Sequence, residues 1–199
     1  LNKNNEHEIK IVDVIKKKIN PCIGCFTCFN KQNSLCIQND DLKEILEDYK
    51  SSDVIIWSFP LYFYGMPSHL KAVLDRTLPL HKYKFKEANN KIYLDDLIKL
   101  DDKKVIVISG CGFPEFKGNF DGLFESLKNA FEYETYFIKV FEAPLLNAPK
   151  TQELVKPLLN KFYNAGLEFN NTNTLSNETI KLLEEPVLDK EIYMHIVND

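Results

Sequence analysis

Asp53-Val-Ile-Ile-Trp-Ser58 and Val105-Ile-Val-Ile-Ser109 decide the fold. Each is a continuous apolar run of strand length without polar alternation, the pattern of a strand covered on both faces. Covering both faces takes helices, and the sequence around these runs supplies them. Asn39 and Asp40 can cap a helix whose Leu42, Ile45, Leu46 and Tyr49 share a face. Ser68 opens a second, with Leu70, Val73 and Leu74 on one side. Phe120, Leu123, Phe124, Leu127 and Phe131 form the stripe of a third, and Glu153 to Phe169 reads as a long fourth. Thr135 to Phe141 is another buried-type strand. Glu8 to Ile15, rich in β-branched residues, reads as a further strand. Asn170 to Thr174 reads as a loop, followed by a short helix and a tail. The polar, charged segment from His81 to Asp102 reads as an excursion from the core. Strands alternating with helices predict an α/β fold with a parallel sheet and right-handed crossovers.

The chain of 199 residues suits one domain with an appendage, and 44% apolar content suffices for a core. Twenty-five basic and 29 acidic residues leave a net charge of −4. That balance lacks the basic footprint of a nucleic-acid binder. The longest apolar run, Val54 to Pro67, is too short to span a bilayer and contains two prolines. No membrane association is expected. No charged-then-apolar leader is visible, so a cytoplasmic location is expected.

In parallel sheets ligands sit at the carboxyl ends of the strands, so three loops matter. The first, 20–40, carries Cys22-x2-Cys25-x2-Cys28-x7-Cys36. Tandem x2 steps let one loop wrap one face of an iron–sulfur cubane, and Cys36 is near enough to complete a four-thiolate set. Zinc prefers two separated pairs, and metal-free redox or structural thiols are a third reading. Clustered cysteines in a reducing compartment point to metal or redox work more than to disulfides. The second loop, Phe59-Pro-Leu-Tyr-Phe-Tyr-Gly-Met-Pro67, puts three successive aromatics after a buried strand. They can wall a planar ring system or pack on a partner subunit. The third, Ser109-Gly-Cys-Gly-Phe-Pro114, lets backbone approach a ligand closely.

These loops together resemble the flavodoxin-like NAD(P)H-dependent FMN reductase superfamily, and within it the iron–sulfur flavoprotein branch. The resemblance rests on Pro21-Cys-Ile-Gly-Cys-Phe-Thr-Cys28 with Cys36 and Asp40-Asp41, on Ser58-Phe-Pro-Leu-Tyr62 followed by Leu70-Lys-Ala-Val-Leu-Asp-Arg76, and on Ile108-Ser-Gly-Cys-Gly-Phe-Pro-Glu115. Ala165-Gly-Leu-Glu168, leading into Leu175-Ser-Asn-Glu-Thr179, is also similar.

The resemblance implies a doubly wound parallel sheet of order 2-1-3-4-5 with FMN at its carboxyl edge. Pro60, Leu61, Tyr62, Phe63, Tyr64 and Gly65 would flank the isoalloxazine, as would Gly110, Cys111, Gly112 and Phe113. Cys22, Cys25, Cys28 and Cys36 would ligate a [4Fe–4S] cluster. Arg76, the sole arginine, is expected to be an ion-pair partner rather than a catalytic group. The family's first strand and its phosphate-wrapping loop have no counterpart here. The chain opens on Leu1, at what resembles the end of the family's first helix, and Glu8 to Ile15 would be its second strand. The sequence therefore reads as a fragment: residues 1–170 an N-terminally truncated FMN-binding domain, 171–199 a C-terminal extension.

The implied activity is an FMN-dependent oxidoreductase that pairs flavin with the cluster to reduce a small acceptor. NAD(P)H or a ferredoxin-type protein would be the donor, and the assembly a homodimer or homotetramer. A cluster-free FMN or quinone reductase is the first alternative. A non-catalytic thiol or metal module without FMN is the second. No residue stands out as an acid or base, and His69 and His81 are candidates only by their place in the sequence.

Overall fold

The structure, a computed structural model, describes residues 7–30, 36–88, 90–96, 102–131 and 133–198. The start read as the end of a lost helix therefore lies outside the described residues. So do 31–35 of the cysteine loop and 97–101 of the excursion.

The elements alternate as the sequence predicts. In chain order they are α1 (Thr27–Asn30), α2 (Leu42–Ser51), β1 (Val54–Pro60), α3 (Ser68–Asp75), β2 (His81–Ala88), β3 (Lys91–Asp96), β4 (Lys104–Gly110), α4 (Asp121–Ala130), β5 (Thr135–Val140), α5 (Gln152–Thr172), α6 (Asn177–Leu183) and α7 (Lys190–Asn198). The main sheet runs β1-β4-β5. β4 and β5 are parallel, in register from Val105 opposite Thr135 to Gly110 opposite Val140. The Lys104 N–H donates to the Asp53 carbonyl at one end of β1, and the Leu61 N–H to the Gly110 carbonyl just past the other. β1 and β4 therefore run in the same direction. The three strands stand in the order expected for the third, fourth and fifth of the α/β sheet.

The second expected strand is not formed. Glu8 to Ile15 joins no ladder, and Val14–Lys16 is a turn of 3-10 helix. In the order 2-1-3-4-5 that segment pairs only with the first strand, and among the described residues no strand lies beside it. A strand needs a neighbour to complete its ladder, and Ile11 remains 87% exposed.

The chain divides into two compact units. One comprises residues 1–10, 56–66 and 105–199. Within it β5 is covered on both faces, because neighbouring side chains of a strand point opposite ways. Phe137 meets Phe124 of α4 with ring centroids 4.9 Å apart, and Tyr136 meets Phe169 of α5 edge-on at 6.1 Å. The stripe Phe120, Leu123, Phe124, Leu127 and Phe131 is buried throughout. α5 extends to Thr172, three residues into the predicted loop, and stops where Asn173 adopts a left-handed conformation. The predicted tail contains α7, held by the burial of Tyr193 with Leu145 and Val155.

The other unit comprises residues 11–55 and 67–104. It holds α2, α3, the cysteine loop and the segment read as an excursion. Most of that segment is an antiparallel hairpin, with Ala88 paired to Lys91 across a two-residue connection and Glu87 to Ile92. Asn90 has φ +59°, the left-handed geometry that such tight connections need.

Candidate functional site

Within the first unit, the loops after β1 and β4 are tied to each other and to the chain after β5. Leu61 N–H bonds the Gly110 carbonyl at 2.7 Å. The Cys111 N–H reaches the Val140 carbonyl at 2.9 Å, and the Ala143 N–H the Cys111 carbonyl at 2.9 Å. The Glu142 N–H bonds the Phe113 carbonyl at 3.0 Å, and the Tyr193 hydroxyl donates to the Gly112 carbonyl at 2.7 Å. All four carbonyls from Gly110 to Phe113 are thus engaged by the protein. The N–H groups of Gly112 and Phe113 have no partner among the described residues. Gly110 is required by packing, since a Cβ there would lie 2.8 Å from the Ala143 Cβ.

The aromatic loop closes as a tight turn. Tyr62 and Gly65 exchange backbone hydrogen bonds of 3.2 and 3.0 Å, and Phe63 and Tyr64 between them have φ +47° and +60°. A left-handed conformation costs an ordinary residue about 1–2 kcal/mol. Two bulky aromatics in succession hold it here, with both rings exposed. Strain of this kind concentrates at ligand sites. Of the residues expected to flank a ring, Pro60 ends β1, while Leu61, Tyr62 and Gly65 spend their N–H groups on the loops themselves. Phe63, Tyr64, Gly112 and Phe113 present backbone and rings to solvent. Cys111 is buried, its thiol turned toward Asn119 and the Phe113 carbonyl, and burial pushes that thiol up in pKa.

Glu142, fully buried at φ +56°, holds the chain beside this loop and was not announced by the sequence. Its Oε2 accepts the N–H groups of Val187 and Leu188, both at 2.9 Å. Burial raises its pKa, and those two bonds act in the opposite direction. Tyr193 was missed as well. A lone glutamate at a strand end and a tyrosine in an apolar helix carry no motif.

Within the second unit, Cys22, Cys25, Cys28 and Cys36 line one pocket together with Arg76. Left-handed Gly24 (φ +64°) and Phe26 (φ +52°) bend the loop around it. The Thr27 hydroxyl and N–H bond Cys25 and lower its pKa. Burial raises that of Cys28, and the other three sulfurs add to the effect. Among the described residues no three Cys, His, Asp or Glu side chains stand in a metal-binding arrangement.

The neck of the loop is clamped. Arg76 grips Asp40 through Nη1–Oδ2 at 2.6 Å and Nη2–Oδ1 at 3.0 Å, and both side chains are only 1% exposed. Nη1 also donates to the Asn20 carbonyl at 2.9 Å, and the Asn20 N–H bonds Asp40 at 2.9 Å. Asp41 accepts from the Lys18 N–H at 2.7 Å. Arg76 is thus the ion-pair partner expected. Burial pushes the Asp40 carboxyl up, and the guanidinium together with the N–H groups of Asn20 and Leu42 outweighs it, holding the group below its ordinary range. Burial lowers the pKa of Arg76, and Asp40 and Cys36 beside it raise it by more, holding the guanidinium charged. Four cysteines are the donor set a four-thiolate cluster would use, and their side chains as described do not stand in the arrangement that would hold one.

Of the histidines, His69 is exposed on α3 and His81 begins β2. No helix among the described residues is long and apolar enough to cross a membrane.

Known proteins resemble this chain in sequence. An iron-sulfur flavoprotein of Methanocaldococcus jannaschii is 41% identical over 37% of this chain and 37% of its own length. One of Archaeoglobus fulgidus is 37% identical over 38% of this chain and 34% of its own. An FMN-dependent NADH:quinone oxidoreductase of Colwellia psychrerythraea is 32% identical over 49% and 42% respectively. The matches span well under half the length of these curated relatives. The profile of the flavodoxin-like fold family matches residues 1–146. With three parallel strands in the order of that fold and helices on both faces of β5, the chain belongs to the flavodoxin-like fold family.

Proposed function

We propose that the protein is an FMN-dependent oxidoreductase. It pairs the flavin with a [4Fe–4S] cluster on Cys22, Cys25, Cys28 and Cys36, and reduces a small acceptor with electrons from NAD(P)H or a ferredoxin-type donor. The observation that carries this reading is the Gly110–Phe113 loop. Its carbonyls are all turned into the protein, and the N–H groups of Gly112 and Phe113 are left for a ligand at the carboxyl edge of the sheet. The strained Phe63–Tyr64 turn adds an apolar wall. The names of the relatives support the same cofactors.

When bound, FMN handles electrons in pairs and the cluster one at a time, which joins two-electron to one-electron chemistry. The chain's own residues bind and orient. The N–H groups of Gly112 and Phe113 would donate to the bound flavin and Phe63 and Tyr64 would shield it from water, while Arg76 with Asp40 fixes the cysteine loop.

The lack of a metal-binding arrangement among the described cysteines favours, as a second reading, a cluster-free FMN reductase. Visible absorption with iron and flavin analysis of the full-length protein, reconstituted anaerobically, separates the two. About four irons and one FMN per chain are expected. Flavin with less than about one iron would select the second reading, and a colourless protein would overturn both.

A further inference from the structure

We propose that Tyr193, in the C-terminal extension, is a positioning residue for the flavin: its hydroxyl fixes the Gly112–Phe113 peptide so that the Phe113 N–H faces the bound ring. The inference rests on the FMN reading above and adds a residue to it.

In a planar trans peptide the carbonyl of one residue and the N–H of the next point in opposite directions. The Gly112 carbonyl is directed at the hydroxyl of Tyr193, which is only 3% exposed. The Phe113 N–H must then point away from that interior, and it has no partner among the described residues.

The other three carbonyls of the loop are held by backbone N–H groups of Leu61, Ala143 and Glu142. The Gly112 carbonyl alone among them has no backbone partner, so its orientation depends on the Tyr193 side chain. The hydroxyl bond also polarises the peptide and strengthens its N–H as a donor. Burial, the Glu142 carboxylate and Cys111 all raise the pKa of Tyr193 and keep it a proton donor. The hydroxyl is in turn held in place: Glu142 bonds Val187 and Leu188 at the entry to α7, and Tyr193 packs on Leu145 and Val155.

Tyr193→Phe removes the hydroxyl and keeps the ring. FMN affinity is read by quenching of flavin fluorescence, and the flavin midpoint potential by anaerobic titration. The variant is expected to bind FMN roughly three- to thirty-fold more weakly, the worth of one hydrogen bond, and to shift the potential downward. Leu127→Ala removes buried apolar contact from α4 and leaves the cluster around Tyr193 intact. It should lower Tm while leaving the potential unchanged, which separates orientation from packing. In the wild-type protein, FMN should move the Phe113 amide resonance downfield, a measurement that does not depend on any variant folding. Wild-type protein that binds flavin, with an unmoved Phe113 amide or an unchanged potential in Tyr193→Phe, would overturn the role of Tyr193 alone. Wild-type protein that binds no flavin would overturn the FMN reading itself.

Discussion

Asp40→Ala is the sharpest probe of how the cysteine loop is held. The substitution removes both carboxylate oxygens from a guanidinium whose side chain is 1% exposed, leaving Nη2 without its 3.0 Å partner and Nη1 with only the Asn20 carbonyl. It also strips the Asn20 N–H and the Leu42 N–H of their acceptor. Breaking one side of a buried pair costs about 3–5 kcal/mol, because a buried charge is left uncompensated. At about 2–4 °C per kcal/mol for a chain of this size, Tm should fall by roughly 6–20 °C in a circular dichroism melt. The double variant Asp40→Ala/Arg76→Met removes the orphaned charge and should recover much of that loss. The pH dependence has a definite sign. A carboxylate whose folded pKa is depressed contributes stability that is present above its ordinary value of 3.8 and lost as pH falls below it. The Tm gap between wild type and Asp40→Ala should therefore hold at neutral pH and close under acid. A gap of less than about 2 °C at pH 7, or a double variant no better than the single, would refute the clamp.

Three further outcomes follow from the loops. Gly110→Ala forces a Cβ to within 2.8 Å of the Ala143 Cβ, so the loop must give by roughly 1 Å; a loss of about 1–3 kcal/mol in urea unfolding and weaker flavin binding are expected. Tyr64→Gly relieves a left-handed residue at φ +60°, and should raise stability by about 1 kcal/mol while weakening flavin binding. Glu142 has a raised folded pKa, so its contribution is full below its ordinary value of 4.5 and declines as pH rises above it; Glu142→Gln, which keeps an acceptor for Val187 and Leu188, should flatten that slope in melts between pH 4 and pH 8.

Much of this was legible in the sequence because strong local patterns coincide with the final environment. The apolar run at Val105 read as a doubly covered strand and is; the run at Val54 forms its strand, but buries Trp57 and Phe59 on one face and leaves Ile56 and Ser58 exposed on the other. The Phe120 to Phe131 stripe read as a buried helix face and is. Arg76 read as an ion-pair partner and meets Asp40. Glu8 to Ile15 shows the limit of local propensity: β-branched residues favour a strand only where a neighbour completes the ladder. The hairpin between His81 and Asp96 was readable in principle from Asn89-Asn90 between two runs containing Tyr and Phe, a turn signal its charged residues obscured. Glu142 and Tyr193 were not readable. Glu142 acts through two long-range bonds to backbone and Tyr193 through one, and such bonds leave no spacing in the sequence.

The central claim is that the turn after β1 and the glycine loop after β4 receive a flavin. Titrating FMN into the full-length protein while following flavin fluorescence tests it most directly. The account predicts saturable quenching, with weaker binding in Gly110→Ala and Tyr193→Phe. Fluorescence that stays that of free FMN with protein in excess would contradict it.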